Sequence, residues 1–457
     1  MEEGVDGNGS MNVLHYSSWN VRCGIADYTA DLVGGLQSHG VNSTVVPVGL
    51  ANDKSMRAAD IVREYDDLAE QAGQYDLLHI QHEYSFFSGN SIHEANDNLA
   101  RCLRRVLRNR TPVVVTFHSE PPKLLTVSRP PLGMQARAKL AVKQCVRSVI
   151  KFLRNPRERH SAIDMFRRNA SLCRAIVHTR RTRLAKIGLG FAADQVSVVP
   201  MGCKTRSPNI HADMSEAKRR LNLPADCKLL SLFGFISKYK GPHVAARALR
   251  LLPPNYYLAL VGGQHPHSND TTLNHVLKIW HGRDPRRLRI TGYQSESEID
   301  LWQAATDISL APYLEVGMSG SAGITWALSS GKPVIASRTL TFKEINDSAN
   351  GMLLVTPNAP YELAWRIQQL AESPEHAAEL VRNAQAYVAG HTWDKTAGRM
   401  LEVYQQFPTL HDRFAPSAQR YVFSMQCAMR DRSCAMVDYD RTAKLIPAQS
   451  KEIEHEN

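Results

Sequence analysis

Short runs of Val, Ile and Leu recur along this chain, separated by segments of helical period, and the whole alternation runs twice. Continuous apolar runs of four to six residues belong to strands covered on both faces, the setting of a parallel sheet between helix layers. Parallel neighbours must be joined by crossovers, and the helical segments supply them. The first series falls at 12–16, 44–48, 77–80, 112–117, 175–177 and 196–199. The second falls at 229–233, 257–261, 288–290, 308–310 and 333–336. The expectation is an α/β chain of two doubly wound, Rossmann-like domains, 11–200 and 214–405, joined by a linker at 201–213. Residues 1–10, acidic and Gly-rich, read as a disordered leader and no signal peptide, and 406–457 as a polar extension with a mobile end.

With 457 residues, 43% of them hydrophobic, the chain can bury two cores. No apolar run approaches the roughly 20 residues of a membrane span. The eight cysteines are scattered singly, without metal spacing, which fits a reducing compartment and a cytoplasmic protein. The net charge of +11 points to anionic partners. Much of it lies between Pro121 and Ala170, where 12 Lys/Arg face two acids. There Lys139, Lys143, Arg147 and Lys151 recur every four residues and line one face of an expected helix. Two readings stay open for it: a helix packed on the domain with a solvated basic face, or one resting on anionic lipid at the inner membrane face.

Ligands of open α/β sheets bind outside the carboxyl ends of the strands, so the loops that follow strands are the place to look. After the strand at 229–233 comes Gly234, with Lys238 and Lys240 just before the next helix. Lys240 would meet a phosphate at that helix start, or else be a solvated surface lysine. Gly262 and Gly263 end another strand, and Tyr293 follows a third, where it either stacks on a base or covers the domain edge. The small residues Ser319, Gly320, Ser321 and Ala322 precede a helix and leave its first amides open to an anion, with a serine N-cap as the plainer reading. In the first half, Asn20 and Gly24 lie in a glycine-bearing loop after the first strand, while Glu83 and His118 stand at strand ends.

As an ordered set these residues resemble glycosyltransferase family 4, whose fold is GT-B: two Rossmann-like domains facing a central cleft. The resemblance spans about 11–405. It is carried by Gly234, Lys240, Gly241, Gly262, Gly263, Gly292, Asp307, Pro312, Gly331, Pro333 and Val334. The segments 343–345, 350–355 and 391–404 and the first-domain loop 19–28 extend it. It implies an enzyme that moves a sugar from a nucleoside-diphosphate sugar to an acceptor, with retention and without a metal or other cofactor. It places Gly24, Lys240, Ser319, Gly320, Ser321 and Ala322 at the donor phosphates. Gly234, Lys238, Gly263 and Tyr293 fall at nucleotide and sugar, and His118 beside the transferred sugar. Asn20 and Glu83 fall on the acceptor side, which would take a small molecule, a glycan or a lipid-linked acceptor; no nucleic-acid partner is expected.

The chain departs from that family at three places. Phe235 stands where its phosphate-binding arginine would fall, with Lys238 as the substitute at hand. Met318 and Trp326 stand at its paired glutamates, and Glu315 is the nearest acid to the first of them, taken here as the catalytic carboxylate. These losses keep a non-catalytic GT-B scaffold open as an alternative, beside a sugar-nucleotide epimerase of the same fold.

Overall fold

The computed structural model describes residues 10–48, 58–83, 86–87, 92–120, 162–205, 213–264, 271–314 and 317–414. Residues 10–404 form one compact unit. Beyond it the described chain holds one short helix, Pro408–Phe414. The leader 1–9, Glu315, the basic helix expected around 139–153 and most of the C-terminal extension lie outside the described residues.

The first sheet contains β1 (Met11–Ser17), β2 (Val41–Pro47), β3 (Leu77–His82), β4 (Val113–Phe117), β5 (Cys173–Val177) and β6 (Val196–Val198). All are parallel, in the order β2-β1-β3-β4-β5-β6. β3 and β4 are buried at every position, as strands covered on both faces are, with His79, Gln81, His82 and Thr116 among the buried side chains. The second sheet contains β7 (Lys228–Phe233), β8 (Tyr256–Val261), β9 (Leu288–Gly292), β10 (Ile308–Ala311), β11 (Val334–Ser337) and β12 (Met352–Val355). It too is parallel, in the order β12-β11-β10-β7-β8-β9. The sixth of these strands is absent from the sequence expectation. β12 is four residues long at the sheet edge, and Leu353 and Leu354 are only half-buried, so its periodic signal is weak.

Each sheet reverses its winding once. In the first the reversal falls between β1 and β3, in the second between β7 and β10. At such switch points the loops diverge and leave a crevice at the carboxyl edge. The loops after β1, β3, β7 and β10 therefore open on it.

One segment crosses between the sheets' domains. The helix Trp393–Tyr404 was expected with the second domain, yet it packs on the first. A side chain at Gly35, in the helix Gly24–Ser38, would come within 2.9 Å of Ala397 Cβ and of the Trp393 carbonyl. Gly202 lies directly under the Trp393 indole. Ser38 donates to the Asp394 carboxylate at 2.8 Å, and the Tyr404 hydroxyl meets His79 Nδ1 at 2.7 Å. The boundary expected at 405 thus moves back to about 391. The helix's buried face, Ala397, Met400, Val403 and Tyr404, carries no mark of which domain it covers, so periodicity alone could not assign it.

Adjacent glycines in the first helix offer a paired test of this packing. A side chain at Gly34 would meet nothing within 4 Å, whereas one at Gly35 meets the crossing helix. Gly34→Ala should raise stability by up to about 1 kcal/mol through helix propensity. Gly35→Ala should lower it by about 1–3 kcal/mol through overpacking. Thermal unfolding of the two variants should shift in opposite directions.

Candidate active site

The second-domain side is built from the turns after β7, β8 and β10. Gly234 sits at φ +102°, a left-handed position that favours glycine, and its amide donates to the Val261 carbonyl at 2.9 Å. A Cβ at Gly234 would lie 2.5 Å from Lys240 Nζ, so the lysine side chain folds back over this glycine. Lys238 to Lys240 form a single 3₁₀ turn, and Gly241 lies against the Pro312 carbonyl, which brings the loops after β7 and β10 together.

Lys240 is 8% exposed, so it is no solvated surface lysine. Burial lowers its ammonium pKa to about 8. The ammonium makes no hydrogen bond or ion pair among the described residues, and the ring of Phe235 is 5.9 Å from Nζ. A buried ammonium without a counter-charge is costly to keep. The cost is relieved when an anion occupies the space beside it. Lys238 is exposed in the same turn. Phe235 packs edge-on to Tyr293, 6.1 Å between ring centres, so the position of the missing arginine is filled by aromatic packing.

The turn at Ser319 divides into two parts. Glu120 N–H donates to the Gly317 carbonyl at 2.8 Å, and Ser119 pairs with Met318 as an isolated antiparallel bridge. Ser319 N–H donates to the His118 carbonyl at 3.0 Å, and Ser319 Oγ accepts from the His178 N–H at 2.9 Å. Ser319 is fully buried, and its amide and hydroxyl both serve this seam between domains. The expected phosphate donation therefore cannot come from the Ser319 amide, which the seam already uses, and would fall to its hydroxyl hydrogen. Its place in the sequence marked a small residue before a helix, but only the fold shows that a strand end of the other domain reaches it.

The next four residues behave differently. The amides of Gly320, Ser321, Ala322 and Gly323 donate no hydrogen bond among the described residues. Ser321 caps the helix Ala322–Ser329, its Oγ accepting from Ile324 N–H at 3.3 Å. The cap and the open amides coexist, since capping satisfies only one of the first donors. Met318 belongs to the seam, and Trp326 packs against Phe233 at 5.2 Å, so neither glutamate position carries a charge.

On the first-domain side, Asn20 is exposed at φ +53°, and Gly24 begins the helix Gly24–Ser38 behind an N-cap, Cys23, that makes no side-chain cap bond. A side chain at Gly24 would meet no protein atom within 4 Å. Glu83 accepts a hydrogen bond from Ser119 Oγ at 2.9 Å. His118 Nε2 meets Gln81 Oε1 at 2.9 Å, and its ring packs edge-on to Tyr28 at 4.8 Å and near His178 at 5.5 Å. Burial holds the His118 pKa well below its usual value, helped by the neighbouring His178 and His82 rings. It is therefore a neutral hydrogen-bonding group at physiological pH.

Sequence reading missed Arg22, Gln81 and His178. The Arg22 guanidinium lies 4.5 Å over the Tyr293 ring, whose other contacts include Gly263. The base-stacking reading of Tyr293 thus competes with an arginine already on the ring. Gln81 did leave a signal: with His79 it places two polar side chains at alternate positions of a fully buried strand. Among the described residues no group of three His, Cys, Asp or Glu could hold a metal, and no helix is long and apolar enough to cross a membrane.

Two six-stranded parallel sheets with their switch-point loops meeting across a crevice constitute the GT-B fold. Residues 213–387 match the family described as glycosyl transferases group 1, which bears out the resemblance read from the sequence. The D-inositol 3-phosphate glycosyltransferase of Acidothermus cellulolyticus is 30% identical over 257 residues, 50% of this chain and 52% of that protein. The protein of the same description from Xylanimonas cellulosilytica is 27% identical over 226 residues, 48% of this chain and 52% of its own. The chain spans about half the length of these relatives. Among solved structures, Anabaena HepE in complex with UDP-glucose superposes with a TM-score of 0.60 at 18% identity, covering 86% of this chain and 100% of that one. Sucrose-phosphate synthase from Thermosynechococcus elongatus gives 0.59 at 18% identity, covering 87% and 98%.

The seam predicts a stability effect without a ligand. Ser319→Ala removes the acceptor of the His178 N–H in a fully buried position. Leaving that donor unsatisfied should cost about 1–3 kcal/mol, read from the midpoint of denaturant unfolding.

Proposed function

We propose that the protein transfers a sugar from a nucleoside-diphosphate sugar to an acceptor hydroxyl. The buried, unpaired ammonium of Lys240 carries this reading. Breaking the bond between anomeric carbon and diphosphate builds negative charge on the leaving phosphate. Fixed donors in a water-poor site stabilise that charge most effectively. Lys240 and the open amides of Gly320 to Gly323, in adjoining loops, are such donors. Gly24, with empty space where a side chain would stand, admits the diphosphate from the first domain.

In this reading Gly234 and Lys238 border the nucleotide, with Gly263 and Tyr293 beside it, and neutral His118 hydrogen-bonds the sugar. Glu315, the acid nearest in sequence to the first glutamate position, is the proposed catalytic carboxylate. Asn20 and Glu83 face the acceptor, and transfer proceeds with retention and without a metal. UDP-glucose, the ligand of Anabaena HepE, is the first donor to test, and a polyol phosphate, after the inositol 3-phosphate relatives, the first acceptor. The protein works in the cytoplasm, with peripheral contact to an anionic membrane as a further proposal. The aromatic side chains at the arginine and ribose-glutamate positions favour one other reading, a GT-B scaffold without activity. Calorimetric titration with UDP-, GDP- and dTDP-sugars separates the two, since a scaffold binds none of them.

Lys240→Ala should lower turnover on the order of 10²-fold, with the fold intact by circular dichroism. Unchanged transfer in that variant would remove Lys240 from the mechanism. The lysine also sets a pH dependence. Its folded pKa of about 8 means that it is an ammonium below pH 8 and loses its charge above. Donor affinity should therefore be flat between about pH 6 and 7 and weaken as pH rises past about 8. Titrations across that range in Lys240→Ala should show no such fall.

A further inference from the structure

A line of buried polar side chains ends at His118, and the function proposed above uses only its last member. The Tyr404 hydroxyl meets His79 Nδ1 at 2.7 Å. His79 Nε2 meets Thr116 Oγ1 at 2.8 Å and Gln81 Nε2 at 3.3 Å. Gln81 Oε1 meets His118 Nε2 at 2.9 Å. His79, Gln81, Thr116 and Tyr404 are all fully buried. The geometry comes from the sheet: His79 and Gln81 alternate on one face of β3, and Thr116 of β4 lies in register with Gln81.

The orientation of the Gln81 amide, nitrogen toward His79 and oxygen toward His118, sets the direction of the line. An amide nitrogen only donates, so His79 Nε2, facing Gln81 Nε2, accepts. A neutral His79 then carries its proton on Nδ1 and donates to the Tyr404 oxygen. Gln81, with its nitrogen turned to His79, offers only a carbonyl oxygen to His118. His118 Nε2 must carry the hydrogen, and Nδ1 keeps a lone pair. That nitrogen has no partner among the described residues.

We propose that Gln81, itself oriented by His79 and Tyr404, is a positioning residue that holds His118 in the Nε2–H tautomer and leaves Nδ1 as a hydrogen-bond acceptor for a donor-sugar hydroxyl. The sugar contact rests on the function proposed above; the tautomer does not. Tyr404 belongs to the helix that crosses back from the second domain, so the line ties the sugar-side group to that crossing.

The test uses the full chain with 15N-labelled histidine, in the wild type, Gln81→Leu and Tyr404→Phe. In the wild type, His118 should show a protonated Nε2 and an unprotonated Nδ1. In Gln81→Leu the two tautomers should exchange, and kcat for UDP-glucose turnover should fall about 10- to 100-fold, the scale for a misplaced reacting geometry. KM for the donor should change less than threefold, because the phosphate contacts are intact. Tyr404→Phe, the smaller change, should shift the same signals and lower kcat several-fold. A wild-type His118 protonated at Nδ1 would overturn the proposal, as would an active Gln81→Leu protein with unchanged tautomer and kcat. Absence of sugar-nucleotide binding in the wild type would fail the functional reading alone, with the nitrogen signals still deciding for or against Gln81.

Discussion

The backbone seam between Gly317–Ser319 and the strand end at His118–Glu120 is the contact on which the site depends. Two backbone hydrogen bonds make it, Glu120 to Gly317 and Ser319 to His118, and between them they pair Ser119 with Met318. The Ser319 hydroxyl adds a third bond, to His178. Backbone bonds fix distance and direction more tightly than side-chain contacts because few torsions separate the partners. The seam therefore sets how the β4 end of one sheet stands against the loop after β10 of the other. Glu344 reinforces it by accepting from the backbone amides of Arg180 and Arg181. With the seam in place, the next residues, Gly320 to Gly323, have amides to spare.

Much of this was legible in the sequence, for identifiable reasons. All the strands of both sheets but β12 announced themselves, because parallel strands buried on both faces spell mostly apolar runs. The loops of interest followed from the rule that ligands sit at strand ends. Lys240 was found by its position after a glycine turn, although its burial was not visible, because burial depends on a side chain folding back over Gly234. What sequence could not supply were relations between distant segments. That the Ser319 amide is a strut of the seam could not be read from its surroundings in the chain, since its partners lie 141 residues away at His178 and still further off at His118. Gln81 was passed over as a polar residue in a strand, and the crossing helix was assigned to the domain it follows in the chain.

The charges at the site are unevenly placed. Where related chains carry an arginine and glutamates, this one places Phe235, Met318 and Trp326, whose side chains pack against protein. The loops after β7 and β10 thus rely on one buried ammonium and on backbone dipoles. Arg22, resting on Tyr293, is a further cation at the crevice that comes from the other domain. If it holds the proposed donor, a site built this way distinguishes ligands more by shape and by total negative charge than by matched side-chain pairs.

The helix Trp393–Tyr404 has a consequence for biosynthesis. The first domain's strands are made early, but the surface around Gly35, Gly202 and His79 is covered only by this last segment of the compact unit. On the ribosome that surface stays bare until nearly the whole unit has emerged. The first half therefore cannot finish folding until the second has been made, and a chain interrupted anywhere before Trp393 leaves that surface bare for chaperones or aggregation to find.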